Sequence, residues 1–233
     1  MKTGFIREIV FALFIFFFLG KLHAQNSRTD LIPPGTIHLK NKIFIDKTPV
    51  TNLMFLEYLA FKGLAADLGY NTFQEYLNSR KVGEFPIKPI IAYPNVVLEG
   101  YSKDVFLKRK GYFSETEYAS YAVLNLSIKD ARDFCSWRTA MVAHLYKNEN
   151  IRFSNLQYRL ATIAQLNFAK RKYQSIVKAE PSRKKLSNYH LPKKPESFMV
   201  LPIHEYSLDS VVFQSQLKAA YTGFRCVCEL DSE

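Results

Sequence analysis

Three thiols, a scatter of imidazoles and one dense run of cations are the groups in this 233-residue chain that could carry chemistry. Cys226 and Cys228 stand two residues apart, which on a strand puts both on one side, while Cys135 stands alone upstream. His38, His144, His190 and His204 show no metal-ligand spacing, and an isolated histidine is more often a surface or core residue than a ligand. The cations concentrate in Lys170 to Pro195, where nine basic residues face Glu180 alone, with Arg183, Lys184, Lys185, Lys193 and Lys194 as the candidate binding patch. Such a run reads first as a solvated loop. Its functional reading is an electrostatic contact with an acidic glycan, anionic lipid headgroups or an acidic protein surface. No aromatic interleaving or nucleic-acid motif accompanies it, so nucleic acid is not expected as a partner. A serine-hydrolase elbow, a P-loop and a dinucleotide fingerprint are all absent from the sequence.

The first 24 residues read as an export signal. Lys2 and Arg7 form a basic start, Ile9 to Leu19 is an unbroken apolar run, and Leu22-His23-Ala24 offers a cleavage site. About twenty apolar residues are needed to cross a bilayer, so this run is too short for a stable span. Leu22, where a small residue is usual, leaves an uncleaved anchor as the lesser alternative. The first cysteine is Cys135, so no lipid-anchoring cysteine follows the run. The expected mature chain is 25–233, one domain with a real core and a basic loop at about 170–195. Removing the signal takes three basic residues and one acidic, leaving +9 of the formal +11. An exported chain, periplasmic or at the cell surface, keeps its cysteines where pairing is the default, and three cysteines leave one over.

These groups must be positioned by short strands and capped helices. Tyr121 to Leu126, apolar apart from Asn125, reads as a short buried strand. Ser127 and Asp130 then form a capping box, and Ala131, Phe134, Cys135, Trp137, Met141, Val142 and Leu145 recur at helical spacing. Upstream, Thr36 to Leu39 alternates as a strand, and Ile43 to Val50 reads as a second one stopped near Pro49. Thr51 caps a helix with Leu53, Phe55, Leu56, Leu59 and Ala60 inward and Gly63 as its stop. Asp67 to Lys81 reads as a further helix with a Thr72–Glu75 box. Pro86, Pro89 and Pro94 break the next stretch into short extended pieces, and Lys108 to Gly111 is a basic turn. Thr162 and Gln165 make one more box, ahead of Leu166. Ser210 to Phe213 and Tyr221 to Val227 read as closing strands.

Four of these stretches carry a family resemblance. Tyr121 to Thr139 resembles the "VNVSWEDAxAFCxW" signature of the formylglycine-generating (sulfatase-modifying-factor) domain family, and its ending is closest to the gliding-motility lipoprotein branch. Phe44 to Tyr58 is similar to the "FxIDxxEVTNxxYxxFL" opening. Tyr158 to Leu166 is similar to "YRLPTEAEWE", with Ala161, Ile163, Gln165 and Leu166 replacing its proline, glutamates and tryptophan. Gly223 to Cys226 matches the near-terminal "GFRC". The resemblance implies an α+β domain, the formylglycine-generating variant of the C-type-lectin-like fold, with two main helices, a small sheet and much irregular loop. It also implies a disulfide between Cys135 and Cys226, with Cys228 able to compete. A bridge across so long a loop is worth on the order of 4 kcal/mol in the chain-entropy model.

Family enzymes oxidise a substrate cysteine with a copper-binding cysteine pair lying between the "YRLPTE" helix and the final "GFR". No cysteine occurs between Arg159 and Gly223 here, and the histidine triad of the iron branch is missing. The reading is therefore a divergent, shortened member without catalytic residues, resident metal or cofactor. It would serve as an exported binding or assembly component of the cell envelope, similar to gliding or secretion machinery, with an envelope protein or an acidic glycan as partner. The alternative is a divergent oxidase acting on peptide side chains. Copper on Cys226 and Cys228 belongs to that alternative, since soft thiolates select Cu(I).

Overall fold

The structure, a computed structural model, describes residues 31–80, 118–173, 198–199, 201, 203–209 and 222–232. The export segment, the proline-broken stretch, the basic turn, the Ser210 to Phe213 strand and the Arg183, Lys184, Lys185, Lys193 and Lys194 patch lie outside them. Ten elements follow in order: β1 (Thr36–Lys40), β2 (Ile43–Asp46), α1 (Asn52–Asp67), α2 (Phe73–Asn78), α3 (Ile128–Asn148), β3 (Phe153–Leu160), α4 (Ile163–Tyr173), β4 (His204–Tyr206), β5 (Thr222–Phe224) and β6 (Cys226–Ser232). Four of the strands form an antiparallel sheet in the order β1-β2-β6-β3, and β4 pairs parallel with β5. Helices and sheet together make the domain α+β.

Alternation along the two central strands divides the core. Phe44, Cys226, Cys228 and Leu230 face a large cluster built with α1, α2 and α3, including Phe55, Tyr58, Phe134 and Trp137. Ile45 and Val227 point the other way, onto Leu39, Ala161, Leu166, Ala169 and Phe198. A strand buried on both faces reads as a nearly continuous apolar run, as Cys226 to Cys228 does. The tight turn between β1 and β2 places Asn41 at φ +53°, a left-handed conformation that asparagine tolerates better than most residues.

The helix starts follow the sequence closely. Ser127 accepts the Asp130 N–H while the Asp130 side chain accepts the Ser127 N–H, completing the box on α3. Thr162 and Gln165 exchange the same pair of bonds ahead of α4. Thr51 accepts the Met54 N–H at the start of α1. The box at α2 is only half formed: Thr72 accepts the Glu75 N–H, but Glu75 accepts from Asn71 rather than from Thr72.

Four boundaries differ from expectation. Tyr121 to Leu126 is not a strand; among the described residues its bridge is Ala122 to Thr51, and it turns at Asn125 with φ +62°. It is held extended by the Val123 N–H on the Val50 carbonyl and the Asn125 N–H on the Thr222 carbonyl, so burial here comes without a ladder to any described strand. Gly63 does not stop α1, which runs on to Asp67 because Leu64 and Ala65 continue its buried face; the chain turns out at Gly69, φ +80°. Helix α2 occupies only Phe73–Asn78 of the expected Asp67 to Lys81, and β2 ends at Asp46, short of Val50.

Gly223 in β5 has no room for a side chain. A Cβ there would lie 2.9 Å from both the Val123 carbonyl oxygen and the Ile203 Cδ1. The carbonyl belongs to the backbone of the buried segment and cannot swing away. Gly223→Ala is expected to cost about 1–3 kcal/mol, read as a lower urea midpoint with an unchanged slope.

Candidate functional site: the buried thiol and Arg138–Asp46 cluster

Helix α3 lies across the sheet with Cys135 and Arg138 directed at β6 and β2. The Sγ atoms of Cys135 and Cys226 are 3.1 Å apart, a contact between two free thiols across 91 residues of chain. Cys228 shares the face of Cys226, as the spacing implied. Its cross-strand partners are Tyr158 on β3 and Phe44 on β2, and its thiol sits in the field of the Tyr158 and Tyr146 side chains. The geometry therefore brings Cys135 to Cys226 and leaves Cys228 as the odd thiol.

All three thiols are closed off: Cys135 is 2 % exposed, Cys226 and Cys228 0 %. Burial pushes the Cys226 thiol well above its ordinary value, reinforced by the Cys135 contact and the Asp46 charge, with Arg138 pulling the other way. Burial pushes Cys228 up to about 12, against an opposing pull from Arg138. Tyr158 is likewise raised by burial, although Arg138 lies over its ring, 4.5 Å from the centroid. Cys226, Cys228 and Tyr158 are thereby held in their neutral forms at any physiological pH.

Charge enters the cluster through one pair. Arg138 donates to Asp46 Oδ2 at 2.8 Å and to the Pro34 carbonyl at 2.9 Å. Burial works against the Arg138 charge, and the nearby Asp46 carboxylate more than restores it. The same Oδ2 accepts the Cys226 backbone N–H at 2.8 Å, so one carboxylate oxygen ties α3 to the start of β6. Thr139, one residue on, accepts the Tyr158 N–H at 2.8 Å.

A second buried cation sits just upstream. Arg225, 0 % exposed, makes two bonds to Glu205, at 2.6 and 2.8 Å, and reaches the carbonyls of Asp46 and Met199. Its guanidinium stacks 4.2 Å from the Phe198 ring centroid. The "GFR" residues thus have structural tasks: glycine for clearance, phenylalanine for core, arginine to join β4, β2 and the Phe198 segment.

Of the residues singled out from sequence, the structure unites Cys135, Cys226 and Cys228 on one face of the sheet. His38 lies in β1 and His144 on α3, and no group of three or more metal-ligating side chains gathers among the described residues. No helix among them is long and apolar enough to cross a membrane. Sequence reading gave no role to Arg138, and left Asp46 and Arg225 as motif letters only. An aspartate ending an apolar strand and an arginine opening another were the available signals.

A family model described as "Sulfatase-modifying factor enzyme 1-like domain" matches residues 14–209. The match takes in β1 to β4 and all four helices, and stops short of β5 and β6. A search of curated proteins and a search of solved structures found no match.

The Arg138–Asp46 pair can be tested as a pair. Arg138→Met strands a buried carboxylate and is expected to cost about 3–5 kcal/mol in urea unfolding. Adding Asp46→Asn in the same chain removes that stranded charge and should recover a measurable part of the loss, a non-additivity that two independent sites would not show.

Proposed function

The chain belongs to the family of sulfatase-modifying factor enzyme 1-like domains, and we propose that it is a non-catalytic member, exported to the cell envelope as a binding or assembly component. The observation that carries this reading is the state of the thiols. A cysteine that binds copper or attacks a substrate must be reachable and readily ionised. Every cysteine of this chain is buried between α3 and the sheet, and the two on β6 have their thiols pushed up rather than down. No cysteine lies between Arg159 and Gly223, where the formylglycine-generating members carry their reactive pair. Surviving motif residues have packing, capping, ion-pairing or backbone-bonding tasks, as Phe134, Ser127, Asp46 and Asn52 do.

In the same reading, the fold is the formylglycine-generating variant of the C-type-lectin-like architecture, supported by two long helices on one face of a small antiparallel sheet. Similarity of the Cys135 helix to gliding-motility proteins favours a place in an envelope machine. The partner is an envelope protein or an acidic glycan. Cys135 and Cys226, already in contact, close as a disulfide after export and fasten α3 to β6. The divergent-oxidase reading would instead require a redox metal held by Cys226 and Cys228.

Two measurements separate these readings. Purified chain is expected to hold no stoichiometric copper or iron and to leave a cysteine-containing peptide unoxidised in air. One metal ion per chain, lost on Cys226→Ser or Cys228→Ser, would overturn the non-catalytic assignment. Thiol titration of the denatured, unreduced protein is expected to find one free thiol per chain, and a count of three would remove the bridge.

A further inference from the structure

On the side of α3 away from the thiols, the described residues enclose an open groove of about 540 Å³ between α2, α3 and the segment leading into β3. That volume lies in the range of small-molecule sites. One stripe of α3 builds its wall: Ala140, Ala143, His144 and Lys147 follow each other at helical spacing, and the two alanines keep the wall low enough to leave a recess. Leu77 and Phe153 supply apolar surface.

The charged groups that line it are all of one sign. Among the described residues, Arg80, Lys147 and Arg152 line the groove, and no carboxylate does. Part of this charge answers the fold itself, because α2 and α3 both end here and their last carbonyls favour cations. Lys147 sits in the final turn of α3, and Arg80 already donates to the Tyr76 hydroxyl at 2.8 Å and stacks on its ring. Arg152 belongs to neither helix and is exposed, so helix ends do not account for it. Gln74 donates to Asn78 at 2.9 Å, a pairing that leaves the Gln74 carbonyl and the Asn78 amino group turned to other partners.

We propose that this groove binds an acidic saccharide, with Lys147 and Arg152 holding a sugar carboxylate, Gln74 and Asn78 pairing with ring hydroxyls, and Phe153 lying against a ring face. Cations alone would suit any anion. The carboxamides beside an aromatic and aliphatic surface select one with hydroxyls and an apolar face, which a sugar acid has and a simple ion lacks. The proposal deepens the binding reading above and rests on it, naming a site and a ligand class.

Calorimetric titration of the full chain with trigalacturonate tests it, with the fully methyl-esterified trisaccharide and inorganic sulfate as controls. Trigalacturonate is expected to bind, the neutral ester to bind at least tenfold more weakly, and sulfate not to compete at equal concentration. Lys147→Glu with Arg152→Glu should weaken binding at least tenfold; should that pair not fold, Ala143→Leu fills the recess without changing charge and should do the same. Absence of binding, equal binding of the ester, full competition by sulfate, or affinity unchanged in a folded variant each overturns the proposal. The metal and peptide-oxidation measurements fail separately. A metal-bearing, oxidising chain overturns the non-catalytic reading, whereas a metal-free chain that ignores trigalacturonate overturns only the groove.

Discussion

The Asp46 carboxylate is the point on which the described fold turns. It ends β2 almost fully buried, where an unpaired charge would be prohibitively costly. Arg138 from α3 and the Cys226 N–H from β6 both converge on its Oδ2. The position of the longest helix and the start of the central strand are thereby set against one another by a single group. Arg138 carries the tie further, to the Pro34 carbonyl and over the Tyr158 ring, so the turn before β1 and the edge strand β3 are referred to the same cation. Apart from the Tyr158 N–H on Thr139, the packing of α3 on the sheet is apolar and non-directional, and would tolerate several placements. The ion pair selects one, which is the use of buried charge that best repays its desolvation.

That placement also decides the chemistry of the thiols. Once α3 is fixed over β6, Cys135 meets Cys226 and both are sealed from solvent. The cation that could have stabilised a thiolate is already committed to Asp46, and burial outweighs its pull on Cys226 and Cys228. A reactive cysteine needs partial exposure and an uncompensated positive field. The scaffold removes both, so the same interactions that hold the domain together make its cysteines suited to a structural bridge.

How much of this was legible in the sequence depended on the range of the interaction. Capping boxes at Ser127 and Thr162 were readable because donor and acceptor sit three residues apart and need no tertiary context. The shared face of Cys226 and Cys228 followed from strand alternation alone. Tyr121 to Leu126 failed as a strand because its composition reports burial, while ladder pairing depends on what lies alongside; Asn125 at φ +62° breaks any continuous ladder. Gly63 misled for a related reason: a glycine inside a helix costs about 1 kcal/mol, and the burial of Leu64 and Ala65 outweighs it. The Arg138–Asp46 pair joins positions 92 residues apart, and nothing local marks either as the other's partner.

The edges of the sheet bear on where a partner could dock. On β3, the outward-facing Tyr158 N–H is taken by Thr139 of α3. On β1, the carbonyls of His38 and Leu39 are taken by Lys172 and Tyr173 of α4. An exposed edge is an invitation to strand addition, and blocking its hydrogen-bonding groups with side chains from a packed helix is one way to withdraw it. Both outer strands of the four-stranded sheet are blocked in this manner at their middle or inner end. On the binding reading, a partner meeting the described sheet at these positions finds side chains rather than free backbone groups. Side-chain recognition needs a concave place with convergent polar groups, and the recess beside Ala140 and Ala143 provides one on a helix whose position is held rigidly from the opposite side by Asp46.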